Sequence, residues 1–223
     1  MADLSYTEEN YIKTIYALSA HEEDAVSTNA LAEALDTKAA SVSDMLKKLS
    51  RKDLTHYVKY KGVKLSSFGK KEALKILRKH RLWETFLVEK LKFNWDEVHE
   101  VAEQLEHIKS GYLVEQLDAF LGYPEIDPHG DPIPDKDGEI KVRKKQLLSE
   151  MQKGASAKVI GVNDSSAIFL QYLDKIGIGL GSNIKVLDIM DFDQSVEIHI
   201  NNNQRLLVSK EVTQNLYLSK PEE

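Results

Sequence analysis

Between His80 and His107 the chain places His80, Glu84, His99, Glu103, Glu106 and His107, its densest collection of potential metal ligands. His99, Glu103, Glu106 and His107 fall at i, i+4, i+7 and i+8, which on one helix confines them to an arc of roughly 100°. His80 and Glu84 are an i, i+4 pair and share a face in the same way. Three imidazoles and three carboxylates without a thiol suit a divalent first-row ion such as manganese or iron. Glu103 and Glu106 also set like charges on one face, a cost of a few tenths of a kcal/mol that a bound dication removes. The bland alternative is a solvated His/Glu surface. His21, His56, His129 and His199 read as structural or solvent-facing, and the Pro/Gly density around Asp127–Asp131 favours an ordered turn over a metal loop.

Other chemistries leave no mark. There is no HExxH, P-loop or GxSxG pattern, and Gly177–Gly181 follows a helix instead of opening one, the wrong context for a dinucleotide. The absence of cysteine excludes disulfides, iron–sulfur clusters and thiolate zinc sites. No apolar run approaches a membrane span and Met1–Asn10 is too polar for a signal peptide, so a cytoplasmic protein without membrane partners is expected. The net charge of −6 hides an asymmetry: residues 38–92 hold 16 Lys+Arg against 5 Asp+Glu, whereas residues 1–37 hold 1 against 8. A basic block in an acidic chain is expected of a DNA-contacting face.

The elements that must position these groups follow from periodicity. Tyr6–Leu18 is an amphipathic helix started by Thr7, Glu8 and Glu9. Ser27 or Thr28 caps a short second helix, and Lys38–Lys52 forms a third with Val42, Met45, Leu46 and Leu49 inward. Residues 54–67 alternate Tyr/Val with Lys about a Lys61-Gly62 turn and read as a two-stranded ribbon. This order is that of a winged helix-turn-helix. Ser67 caps a long helix to about Leu91, and Asn94 caps another over Trp95–Lys109. A further helix ends at Phe120. Residues 139–152 read as partly helical, and five short strands with one helix after Ala157 suggest a small β-barrel.

The third helix would turn Lys38, Ala40, Ser41, Asp44, Lys47, Lys48 and Arg51 outward. Small side chains near its start, with Thr28, Thr37 and Ser43, fit against base edges. The cations, with Lys59 and Lys61 on the wing, reach phosphates.

Through Tyr6–Tyr16, the third helix, Arg78–Leu82, Val98–His99 and Glu106–His107, the chain resembles the diphtheria toxin repressor and manganese transport regulator family of metal-dependent repressors. The resemblance is strong over residues 5–135 and weaker beyond. It implies a mainly α protein with a C-terminal all-β domain. A winged helix-turn-helix occupies residues 1–65 and a helical metal-binding and dimerisation domain residues 66–135. A linker over 136–152 leads to an SH3-like, FeoA-like barrel over 153–223. It implies a homodimer that binds double-stranded operator DNA with Mn2+ or Fe2+ as co-repressor and controls manganese or iron homeostasis genes. The family's primary metal site maps onto Asn10, Glu103, Glu106 and His107, and its ancillary site onto His80, Glu84 and His99, with Asp164 as the nearest match to an added acidic ligand. Asn10 stands where members show Met or Asp, and a carboxylate at Glu103 is the manganese-type choice. The alternatives are a mononuclear metal-dependent hydrolase and a winged-helix sensor of an organic ligand.

Overall fold

The computed structural model describes residues 4–19, 25–58, 61–141 and 144–219. Its contacts divide the chain into two units, the first of Met1–His80, Glu103–Gly111 and Pro134–Glu139, the second of Arg81–Ala102, Tyr112–Ile133 and Ile140–Glu223.

In the first unit α1 (Tyr6–Leu18) is started by Ser5, two residues earlier than Thr7 suggests. Ser5 accepts from the Glu8 backbone, and Glu8 Oε2 accepts from the Ser5 backbone N–H at 2.8 Å, a reciprocal cap that satisfies two otherwise orphaned donors. Ser27 caps α2 (Thr28–Ala34), and α3 (Ala39–Arg51) buries Val42, Leu46 and Leu49. The ribbon is β1 (Thr55–Val58) against β2 (Gly62–Leu65), in register from Thr55↔Leu65 to Val58↔Gly62. Val26 adds a bridge to Val63. One apolar cluster of Ile12, Ile15, Leu31, Val42, Leu46, Leu49 and their neighbours holds these elements, each fully buried aliphatic side chain contributing roughly 1.5–3 kcal/mol. The winged helix-turn-helix order is as read.

The long helix α4 (Ser67–Glu89) is started by the Ser66 hydroxyl, which accepts from Gly69 N at 2.9 Å, and not by Ser67. It passes through the division between the units after His80. Four chargeable residues on it, Glu72, Lys79, His80 and Glu84, are buried. Burial of charge is costly without partners, so this helix carries polar chemistry inside the protein.

The next helix is shorter than expected. α5 spans Val98–Leu105, whereas Trp95–Lys109 was the expectation. Its start is delayed because Trp95 is buried in the apolar core of the second unit, with its indole N–H on Asp174 at 2.9 Å. Its end comes with an Ile108 N–H to Leu105 carbonyl turn, so Glu106 and His107 lie in a turn and not on the helix face of His99 and Glu103. α6 (Gly111–Phe120) follows.

The second unit adds a six-stranded antiparallel sheet ordered β3-β8-β4-β5-β6-β7. Its strands are β3 (Lys145–Leu147), β4 (Ser156–Val162), β5 (Asn183–Ile189), β6 (Val196–Ile200), β7 (Gln204–Val208) and β8 (Leu216–Ser219). α7 (Ala167–Lys175) and α8 (Lys210–Asn215) complete it, the latter unforeseen from the sequence. Residues expected to be partly helical instead supply edge strand β3 and a single 3₁₀ turn at Leu148–Glu150. Among the described residues no helix is long and apolar enough to cross a membrane.

Candidate metal centre and nucleic-acid interface

Asn10, Glu103, Glu106 and His107 all belong to the unit that carries α3. Glu106 is fully buried and His107 nearly so. His107 Nδ1 lies 2.5 Å from Glu9 Oε2, and its ring stacks on Tyr6 at 4.5 Å. A carboxylate on Nδ1 fixes the tautomer that leaves Nε2 with its lone pair. That Nε2 is 4.0 Å from Glu106 Oε1. The second Glu106 oxygen meets His80 Nδ1 at 2.6 Å, so His80, read as ancillary, has one ring nitrogen on a primary-site carboxylate. Asn10 Oδ1 is buried and has no hydrogen-bond partner among the described residues. A buried amide oxygen without a donor is costly unless something electropositive occupies the space before it. An amide oxygen, two carboxylates and an imidazole are oxygen and nitrogen donors that fit manganese, iron or zinc.

The expected repulsion between Glu103 and Glu106 is not what the structure shows. The Lys13 ammonium lies 3.0 Å from Glu103 Oε1 and 2.8 Å from Glu106 Oε1, neutralising part of both. Nearby Lys79 is buried, and burial pulls its ammonium below the usual lysine range despite Glu9, Glu106 and Glu72 around it.

Glu9 and Lys13 were not legible as site residues, because Glu9 reads as helix-start acid and Lys13 as a solvated cation. Replacing Glu9 by glutamine keeps an acceptor for His107 but removes the charge. Metal affinity should fall about ten- to a hundredfold with the fold retained. Calorimetric titration of Mn2+ into the variant measures this, and an unchanged affinity would remove Glu9 from the site.

The residues expected to form the ancillary set are His80, Glu84 and His99. His80 stands one turn before Glu84 on α4, and His99 Nδ1 is 3.4 Å from Glu84 Oε1. The other Glu84 oxygen is 3.6 Å from His129 Nδ1. Glu84, Asp127 and His129 are buried, with ligand atoms within 4.8 Å of one another. His129 is therefore not solvent-facing; its Nε2 lies 2.8 Å from the Trp95 carbonyl oxygen. The Asp127–Asp131 segment is an ordered turn, in which Asp127 Oδ1 accepts from His129 N and Asp131 N, and the same turn delivers both side chains to Glu84. Burial alone would lower the His129 imidazolium, but Glu84 and Asp127 outweigh it and raise it to about 9. Burial, reinforced by Glu84 and Asp131, raises Asp127 to about 7. The readable signal was the Asp127-x-His129 spacing itself. Asp164 is exposed and accepts from Ser166 N at 2.8 Å at the start of α7, so the structure does not bring it to these residues.

Along α3, Thr37, Lys38, Ala40, Ser41, Asp44, Lys47, Lys48 and Arg51 are exposed, as is Lys61 in the ribbon turn. Lys59 and His21 lie outside the described residues. Ser43 is half-exposed and its hydroxyl donates to the Ala39 carbonyl at 3.0 Å. Thr28 is half-buried. Lys47 pairs with Asp44 at 2.9 Å, an exposed contact worth well under 1 kcal/mol that a phosphate replaces easily. Lys47→Ala should weaken specific and random DNA about equally and lower the salt slope by roughly 1. A change of sequence preference at constant salt slope would make Lys47 a base reader instead.

Glu8 links this face to α1. Its carboxylate is buried, 3.3 Å from Lys48 and 2.8 Å from Lys52. Burial pushes the Glu8 carboxyl up, but the Lys52, Ser5 and Lys48 hydrogen bonds prevail and hold it at about 2. Residues 8 and 9 thus connect to α3 and to His107, and residue 10 carries the unpartnered amide oxygen.

Comparison with known proteins adds the following. The family described as "Iron dependent repressor, N-terminal DNA binding domain" matches residues 3–63. Its "metal binding and dimerisation domain" counterpart matches residues 66–135, and the FeoA domain matches residues 146–220. The iron-dependent repressor IdeR of Mycobacterium leprae (strain TN) is 32% identical over 168 residues, 72% of either chain. The diphtheria toxin repressor of Corynebacterium jeikeium (strain K411) is 36% identical over 138 residues, covering 61% of this chain and 57% of that protein. A solved structure described as a manganese-dependent transcriptional repressor in complex with manganese superposes with a TM-score of 0.81 at 34% identity, covering 96% of this chain and all of that one.

Proposed function

This chain belongs to the diphtheria toxin repressor family of metal-dependent transcriptional repressors, and from that membership we propose that it answers to manganese in preference to iron. Its relatives are repressors and not enzymes, which sets the hydrolase alternative aside. The observation that carries the choice of metal is the donor set of Asn10, Glu103, Glu106 and His107, which holds no sulfur in a chain without cysteine. Carboxylate and carbonyl oxygens suit manganese, and sulfur would favour softer ions. Relatives named for iron and for manganese both occur, so the names alone leave the choice open.

A bound dication would supply positive charge and a fixed coordination geometry to these four residues. The rest is mechanics of the chain. Ligation by Asn10 and His107 fixes α1 against the turn after α5, and Glu8 carries that constraint to Lys48 and Lys52 at the end of α3. Tyr112, Leu113, Phe120 and Tyr123 are exposed around α6, where a second copy would cover them. In such a homodimer two α3 helices would be held at about 34 Å, one turn of DNA. Glu84, Asp127, His129 and His99 form the second metal position in this reading, in place of a set completed by Asp164.

The test is operator binding by the chelated protein with Mn2+, Fe2+ (without oxygen) or Zn2+ restored at buffered free concentrations. Manganese should activate at concentrations where zinc binds but activates less, because affinity alone rises toward zinc and geometry must do the selecting. Full activation by iron at free concentrations where manganese gives none would reverse the preference. Equal binding with and without any metal would support the organic-ligand sensor.

A further inference from the structure

We propose that Lys13 is an internal cation that competes with the metal for Glu103 and Glu106, and so sets the metal concentration at which the chain responds. The inference rests on reading Asn10, Glu103, Glu106 and His107 as the primary site.

Three observations converge on it. The Lys13 ammonium lies 3.0 Å from a Glu103 oxygen and 2.8 and 2.9 Å from the two Glu106 oxygens, and its side chain is largely buried. Lys13 follows Asn10 by three residues on α1, so both side chains leave the same face of that helix. At Asn10 the amide oxygen is buried without a hydrogen-bond partner among the described residues. One helix face therefore offers the same two carboxylates either an ammonium from position 13 or an amide oxygen alongside a shared cation from position 10.

Charge makes the two states exclusive. Two carboxylates with one ammonium keep a single negative charge, and with a dication alone they are neutral. With both cations the site becomes net positive, and like charges a few ångströms apart beside the fully buried Glu106 carboxylate repel. Consistent with this, the ligand atoms of Glu103, Glu106 and His107 are not among the sets of described residues whose atoms lie within 4.8 Å of one another. Metal uptake then requires the Lys13 side chain to leave, and by linkage whatever stabilises the Lys13 pairing weakens metal binding to the same extent. Lys13 acts as a positioning residue for the metal-free state and a determinant of metal affinity, without being a ligand.

The experiment uses the full chain and Mn2+. Dissociation constants are measured by calorimetry for the wild type, Lys13→Met, Lys13→Arg and Glu106→Gln. In parallel, acylation of Lys13 by an amine-reactive ester is followed by mass spectrometry with and without Mn2+. Lys13→Met should bind Mn2+ about tenfold more tightly or better, while its metal-free form melts at a lower temperature than the wild type. Lys13→Arg, which keeps the charge, should not tighten binding. Wild-type Lys13 should acylate faster once Mn2+ is bound, and this readout needs no variant, so it stands if Lys13→Met fails to fold. Unchanged Mn2+ affinity in Lys13→Met, or Lys13 equally protected with Mn2+ present, would overturn the proposal while leaving the site intact. Wild-type affinity in Glu106→Gln would instead show that the metal binds elsewhere, and the parent reading would fall with this one.

Discussion

His107→Ala is expected to weaken Mn2+ binding by more than about a hundredfold and to abolish metal-dependent operator binding, whereas His99→Ala should leave most of both. The ranking follows from burial and partners. His107 is nearly inaccessible, is oriented by Glu9 and turns Nε2 toward Glu106. Loss of a residue that only orients a ligand costs about ten- to a hundredfold, and loss of the ligand itself should exceed that. The His99 side chain is 64% exposed and 3.4 Å from Glu84, an arrangement worth no more than about 1 kcal/mol. Glu84 retains Asp127 and His129 when His99 is gone. Calorimetry and gel shifts on both variants check this, and the opposite order would mean the primary and ancillary assignments are exchanged.

Gly130→Ala should destabilise the protein by about 3 kcal/mol or more. Gly130 has φ +87°, a conformation that costs a residue with a side chain roughly 1–3 kcal/mol by itself. An added Cβ would also lie 1.9 Å from the Ile160 carbonyl oxygen and 2.2 Å from Gly161 Cα, both backbone atoms of β4 that cannot rotate away. The turn would have to retreat from the sheet, taking His129 with it, since Val162 N–H donates to the His129 carbonyl at 3.0 Å. Thermal denaturation of the metal-free chain measures the loss. A melting temperature equal to the wild type's would show that this turn does not need its close approach.

What the sequence made legible was local. The Tyr6–Leu18 stripe, the Lys61-Gly62 turn and the apolar spacing of α3 are short-range patterns, and the winged helix-turn-helix follows from their order. The ligand types at Glu103, Glu106 and His107 were visible for the same reason. Partnerships made across the chain were not. Lys13 is 90 residues from Glu103, and Glu9 is 98 from His107. A lysine on a helix reads as solvated until the fold brings carboxylates to it. The shortened α5 shows tertiary packing overriding periodicity, because Trp95 stabilises the β core more than it would stabilise a first helical turn. For His129 the Pro/Gly-rich segment signalled the turn that the structure shows, but nothing local says that the turn will face Glu84.

Linkage between metal and DNA can be measured directly, as the Mn2+ dissociation constant of the chain alone and of the chain saturated with a palindromic duplex that it has selected from random sequence. If metal and DNA favour the same arrangement of α1 and α3, operator should tighten Mn2+ binding by about 5- to 150-fold, and Mn2+ should tighten operator binding by the same factor. An Mn2+ affinity indifferent to the duplex, with operator bound equally well in chelator, would contradict metal-dependent repression by this chain.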